Sequence, residues 1–218
     1  MKRTGKSLYS AAALAAMALF MGGCATSRGI LDVRVDVPEN PSSGKAVSIV
    51  RVVDNRHFEE APRDASIPSL KDRDIGNRAL TSRAIARKRN TYGKALGDVL
   101  LPEGRTVEGL VKEALTRSFR EAGYRVVDNA GGSGEGAPIE AEIEQLWGWI
   151  TPGFWSASLQ FEAKVRIKGD VQPFQEGKTV RGYVLLHTQG AGSGQWLNTF
   201  NKGLDSLVQE VKNELTTR

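Results

Sequence analysis

Two consecutive runs of alternating residues, beginning at Ile139 and at Trp155, constrain the fold of this chain more than any other feature. In the first, Ile139, Ala141, Ile143, Trp147 and Trp149 fall on one face, opposite Glu140, Glu142 and Glu144. In the second, Trp155, Ala157, Leu159, Phe161, Ala163, Val165 and Ile167 oppose Glu162, Lys164, Arg166 and Lys168. A period of two gives a strand one buried and one wet face, as in antiparallel sheets. Thr151-Pro152-Gly153 carries turn chemistry between the runs. The hairpin it predicts sets an acidic face beside a basic one. Thr179–Thr188 reads as a third strand of the same meander.

The remaining elements follow from shorter signals. Ala46–Val53 is a β-branched run suited to a buried strand. From Thr106 to Ala122 apolar residues recur at helical spacing (Val107, Leu110, Val111, Ala114, Leu115, Phe119), with Thr106 as N-cap and Gly123 at the left-handed C′ position. Tyr124–Val127 reads as a short strand, and the glycines between Gly131 and Gly136 as a loop. Leu197, Phe200, Leu204, Leu207, Val208, Val211 and Leu215 form a second amphipathic stripe. The expected fold is α+β: a two-layer sandwich of a mostly antiparallel, four- to five-stranded sheet with two amphipathic helices on one face. Residues 46–218 form its single domain. Within it, residues 54–104 make a long excursion without strong periodicity, in which Ala79–Arg89 reads as a short helix. Residues 24–45, with Pro38, Pro41, Ser42 and Ser43, read as a tether, and Val33, Val35 and Val37 alternate there as in an edge strand.

The N-terminus states where such a domain works. Lys2, Arg3 and Lys6 precede the apolar run Ala11–Met21, and Met21-Gly22-Gly23-Cys24 follows. The run is short of the roughly 20 residues that span a bilayer, so residues 1–23 read as a cleaved signal peptide. Cys24 is the only cysteine of the chain, and its setting resembles the lipobox of bacterial lipoproteins. The resemblance implies a diacylglyceryl group on the thiol, loss of residues 1–23 and acylation of the new N-terminus. It also implies outer-membrane delivery, because Ala25 stands where an aspartate signals inner-membrane retention. A lipidated Cys24 leaves no thiol for a disulfide or a nucleophile. His57 and His187 are the only histidines and are far apart in sequence, so neither a histidine-rich zinc site nor a catalytic triad is expected. The expectation is no metal, no catalytic residue and no cofactor beyond the covalent lipid.

Charge narrows the search for a site. The formal charge of +5 falls to +2 without the three basic residues of the signal. Residues 71–94 carry eight basic and two acidic residues, so the rest of the mature chain is acidic. Arg83, Arg87, Lys88, Arg89 and Lys94 are therefore the candidate anion or partner site, since guanidinium groups hold phosphate through paired hydrogen bonds. Trp149, Phe154 and Trp155, at the hairpin end, are the candidate aromatic contact. Glu140, Glu142 and Glu144 read as a solvated sheet face. Gly190-Ala191-Gly192-Ser193-Gly194 reads as a turn, because Gln195 stands where a dinucleotide fingerprint requires glycine.

The lipobox, the β-branched first strand, the polar excursion, the helix ending in Ala122-Gly123-Tyr124, the meander and the last helix together resemble the YajG-like bacterial lipoproteins. The same plan is similar in fold to LptE-type assembly lipoproteins. The resemblance implies outer-membrane association and no enzymatic activity, and it does not cover Leu80–Pro102. The expected function is that of a non-enzymatic outer-membrane lipoprotein facing the periplasm. It would bind an envelope protein or an anionic lipid or lipopolysaccharide, and no nucleic acid. The alternative is an envelope hydrolase or a regulator of cell-wall enzymes.

Overall fold

The first alternating run folds as a single long strand, β6 (Ala137–Pro152), and the second as β7 (Ala157–Gly169). They belong to a computed structural model that describes residues 27–90, 92–128, 136–153 and 156–217. The earlier strands are β1 (Gly29–Ile30), β2 (Ala46–Asp54), β3 (Ala84–Arg89), β4 (Ala95–Leu100) and β5 (Arg125–Val126), and β8 (Lys178–Thr188) follows β7. A 3₁₀ segment (Lys71–Gly76) precedes the helices α1 (Arg78–Thr81), α2 (Val107–Glu121) and α3 (Ser193–Thr216).

β6 and β7 pair antiparallel from Ile139↔Gly169 to Pro152↔Ala157, and β8 continues the meander beside β7. Glu140 and Glu142 sit opposite Lys168 and Arg166, so acidic and basic positions do meet across the pair. One detail departs from strict alternation. The register slips between Ile143 and Gln145, where β6 carries an extra residue. A bulge of this kind moves every later side chain to the opposite face. Ile139, Ala141 and Ile143 therefore share the main core with Leu146 and Ile150, while Trp147 joins a second core with Leu70, Ala84 and Leu100. Trp149 packs against that second core as well. The expectation that both tryptophans share the face of Ile139 is corrected by this one residue.

The expected mostly antiparallel sheet of four to five strands is also corrected. Among the described residues the sheet is mixed and has eight strands. Four of its seven strand pairings are parallel: β1 with β4, β2 with β5, β2 with β6, and β3 with β6. This is an α/β arrangement. Its physical origin is the crossover that parallel neighbours require. After β2 the chain passes through the excursion and α2, and re-enters the sheet at β5 and β6 in the direction in which it left. The excursion itself supplies β3 and β4, which pair antiparallel. The short helix expected over Ala79–Arg89 is thus one turn, α1, followed by a strand. Ala84, Ile85 and Ala86 are fully buried, which a helix with one wet face would not allow.

Both amphipathic stripes pack as helices. α2 begins at Thr106, whose hydroxyl accepts from Gly109 N, and the chain reverses at Gly123 with φ of +88°. α2 contacts β2 and α3, and α3 lies across β7 and β8. α3 approaches the sheet closely through Gly182 and Gly203. A Cβ on Gly182 would lie 2.6 Å from the backbone nitrogen of Leu207, and one on Gly203 would lie 2.0 Å from the Phe161 ring.

The other face of β6 is covered by the excursion. Trp147 Nε1 donates to Ala65 O (3.2 Å), Gln145 Nε2 donates to Ser66 O (2.8 Å), and Phe58 meets the Trp147 ring edge-on at 6.0 Å. Burying a large aromatic requires such a cover and an acceptor for its N–H. Residues of the expected tether dock too: Leu31 and Val33 are in the main core, with Val35 packed against it.

Candidate functional site

β2 and β3 share one edge of β6 end to end, β2 along Ala137–Ile143 and β3 at Gly148. Arg56 fills the seam between them. Its guanidinium donates to Ala84 O (2.6 Å), Leu146 O (3.0 Å) and Thr81 O (2.7 Å), and through two nitrogens to Asp54 (2.7 and 2.8 Å). The side chain is fully buried and lies over the Phe58 ring. With its donors turned to the protein interior, Arg56 holds strands together.

The basic segment that follows is also turned largely inward. Arg83 Nε donates to Leu101 O (2.9 Å). Arg87 donates to Leu70 O (2.7 Å) and lies 3.9 Å from the fully buried carboxylate of Asp98. Burial disfavours the charge on Arg87, and the nearby Asp98 opposes that effect. Asp98 is further held by Arg28 Nε (3.0 Å) and by the backbone N–H of Lys71 (2.8 Å), while Arg28 also reaches Asp74. Arg87 thus binds a backbone carbonyl and lies beside Asp98, while Arg83 is tied to Leu101 O through Nε alone. Lys94 is exposed.

Lys88 and Arg89 are placed differently. Both line a cavity of about 350 Å³ at the sheet edge formed by β1, β4 and β3. Its apolar wall comes from Ile30, Leu31, Leu96, Val99, Ile150 and Trp196, and Ala191, Gly192 and Ser193 line it at the start of α3. Arg89 is half-buried and donates to Gly93 O (3.0 Å) and Pro62 O (3.4 Å). Burial, then repulsion from Arg87, disfavours its charge. Lys88 Nζ donates to Ser27 O (3.3 Å). The α3 N-terminus has Gly192 as N-cap and no side-chain cap. The indole N–H of Trp196 is buried without an acceptor among the described residues.

Of the candidate aromatic contacts, Trp149 is half-buried and tilts against Tyr183 at 6.5 Å. Phe154, Trp155 and Cys24 lie outside the described residues. Glu140, Glu142 and Glu144 are exposed. Among the described residues no group of three or more histidine, cysteine or acidic side chains is placed to hold a metal ion, and no helix is long and apolar enough to cross a membrane.

No protein-family model and no curated protein matches this chain. Among the solved structures it is similar to is one described as "Crystal structure of uncharacterized protein", with a TM-score of 0.45 and 8% sequence identity, covering 88% of this chain and 99% of that one.

The sequence pointed to Lys88 and Arg89 through charge alone and missed the cavity they border. Its wall combines β1, β3, β4, β6 and α3, which are far apart in the chain. The apolar residues Leu96, Val99 and Trp196 were visible, but nothing local tied them to one another. Arg56 was missed because a lone arginine after a strand carries no motif.

Proposed function

We propose that this chain is a non-enzymatic lipoprotein of the cell envelope. In this reading it is anchored in the outer membrane through acylated Cys24 and binds an anionic envelope component beside its anchor. The observation that carries the reading is the short distance between anchor and cavity. Only four residues separate Cys24 from Gly29, the first residue of β1 and part of the cavity wall. The five extended steps from Cys24 to Gly29 reach no more than about 18 Å, so the cavity would stand close to the bilayer surface. Membership of the YajG-like lipoproteins belongs to the same proposal and rests on the order of sequence signals.

Two acyl chains or more are needed for stable anchoring, since a single chain binds a membrane only marginally. A diacylglyceryl thioether with a third chain on the amine meets that requirement. Lys88 and Arg89 supply positive charge at the cavity, where anionic headgroups add on the order of 1 kcal/mol per basic residue.

The reading is tested by Cys24→Ala in cells. The expected result is loss of the processed, membrane-bound form, replaced by a soluble periplasmic protein or an uncleaved precursor. Processed Cys24→Ala protein that still fractionates with the outer membrane would refute it.

A further inference from the structure

The turn between β3 and β4 holds one aromatic side chain out into solvent. Asn90 Oδ1 accepts from the backbone N–H groups of Tyr92 (3.0 Å) and Lys94 (2.9 Å), and Asn90 N donates to Lys94 O (3.0 Å). Gly93, at φ of +75°, donates to Asn90 O (2.9 Å). Arg89 ties this turn to the excursion by donating to Gly93 O (3.0 Å) and Pro62 O (3.4 Å). Tyr92 is 93% exposed, whereas every other aromatic side chain among the described residues is buried or half-buried. Lys94 is exposed beside it and forms no ion pair among the described residues. A turn fixed in this way is already ordered, so contact with a surface costs it little conformational entropy.

The segment that follows Cys24 enters the sheet from the same end. β1 runs parallel to β4 with Gly29 opposite Val99, so the residues before Gly29 lead back along β4 toward the turn. Arg28 meets Asp98 (3.0 Å), and Ser27 O accepts from Lys88, two residues before Asn90. Cys24 is three steps before Ser27, at most about 11 Å away. β3 also runs parallel to β6, paired at Ala86 and Gly148, so the turn after Arg89 and the end of β6 point the same way. Thr151, Pro152 and Gly153 are exposed there and carry no charge. Next to Pro62, Arg63 is exposed, and the neighbouring carboxylate of Asp64 is engaged by Ser66 (2.8 Å).

Tyrosine joins an apolar ring to a polar hydroxyl and is enriched at membrane–water interfaces. A lysine near anionic headgroups adds attraction. We propose that the β3–β4 turn is the membrane-contacting tip of the domain, with the Tyr92 ring at the headgroup level of the bilayer and Lys94 against anionic headgroups. The contact rests on the lipid anchor of the reading above. One ring and one charge bind a surface weakly alone, and the anchor supplies the high effective concentration that makes them count.

The test uses the full-length lipidated protein, labelled with 3-fluorotyrosine, in nanodiscs that contain anionic lipid and a lipid with a nitroxide on its headgroup. Loss of residues 1–23 leaves Tyr92, Tyr124 and Tyr183 as the only tyrosines, and Tyr92→Phe assigns the Tyr92 fluorine signal. Tyr124 precedes β5, which lies beside the start of β2 and so near the start of β6, roughly 30 Å from the turn along the sheet. The Tyr92 signal is expected to disappear and to return when the nitroxide is reduced, while the Tyr124 signal persists throughout. Lys94→Glu is expected to lower the occupancy of the contact by at least about fivefold, which brings the Tyr92 signal back. Unchanged Tyr124 and Tyr183 shifts verify that this variant is folded.

Three results overturn the contact: a Tyr92 signal that persists in nanodisc-bound protein, equal loss of the Tyr92 and Tyr124 signals, or loss at Tyr92 that is unchanged in folded Lys94→Glu protein. Elution with the nanodiscs reports the anchor separately. Protein that elutes without them refutes the anchoring and the contact together, and anchored protein with an unaffected Tyr92 refutes the contact alone.

Discussion

Arg56 carries more of the architecture than any other single polar side chain described above. Its guanidinium joins the end of β2, the start of β3 and the middle of β6 through three carbonyls and one carboxylate. Removing one member of a buried ion pair leaves the other uncompensated, typically at about 3–5 kcal/mol. Arg56→Met is therefore expected to lower unfolding free energy by that amount in chemical denaturation. Replacing Asp54 by Leu in the same chain should restore part of the loss, because the stranded charge is then gone. Gly182 is a second sensitive position, for steric reasons. An alanine there would meet the backbone of α3 at 2.6 Å from Leu207 N. Overpacking of this kind costs about 1–3 kcal/mol, and Gly182→Ala should show it as a lower denaturation midpoint at unchanged m-value. Neither residue announced itself in the sequence. A glycine in a strand and an arginine two residues after one become meaningful only when a distant element arrives beside them.

Among the elements, those with a strong local period were legible and those without one were not. α2 runs from its threonine cap to its left-handed glycine because both ends and the stripe agree. β7 is as its alternation predicts. β6 was legible to Ile143, and beyond it the bulge turned Trp147 and Trp149 to the second core. A single inserted residue leaves no mark on composition, so that half of the strand could not be assigned to a face. β3 was hidden for another reason. Arg83, Arg87, Lys88 and Arg89 mask a buried strand because their charged ends bind carbonyls, Asp98 or the cavity rim, while Ala84–Ala86 lie in the core.

The contact between α2 and α3 also sets a pH dependence. Arg117 bridges Glu121 (2.7 Å) and Asp205 (2.8 Å), and Lys212 reaches Glu121 (3.4 Å). The hydrogen bond from Arg117, aided by its charge and by Lys212, holds the Glu121 carboxyl below the ordinary carboxylate range. A group whose pKa is depressed by folding stabilises the fold above its unfolded value. That contribution is lost as pH falls through the folded one. Thermal stability is expected to drop as pH falls through and below the ordinary carboxylate range. Glu121→Gln should flatten that portion of the curve and leave stability above it lower than in the parent. A curve with the same slope in both proteins would show that the ion pairs of Glu121 contribute nothing to it.

At the scale of the molecule, the excursion and the docked N-terminal segment decide the fold. β2 pairs parallel with β5 and β6 whatever the excursion does, so the sheet is mixed from its first strand. Residues 54–104 add β3 and β4, with two further parallel pairings, and a cover over Trp147. Leu31 and Val33 then close the main core from the N-terminal side. They bring the β1 edge and its cavity within a few residues of Cys24. The basic residues that stood out in the sequence are divided by this architecture: Arg87 is turned to Leu70 O and Asp98, Arg83 and Arg89 hold backbone carbonyls, and Lys88 and Arg89 line the cavity.

The proposed role depends first on the lipid at Cys24, and the intact mass of the protein extracted from envelope membranes measures it directly. The expected species begins at Cys24 and carries a thioether-linked diacylglyceryl group with a further acyl chain on its amine. A mature protein that begins elsewhere, or begins at Cys24 with an unmodified mass, would contradict the anchoring on which the proposed function rests.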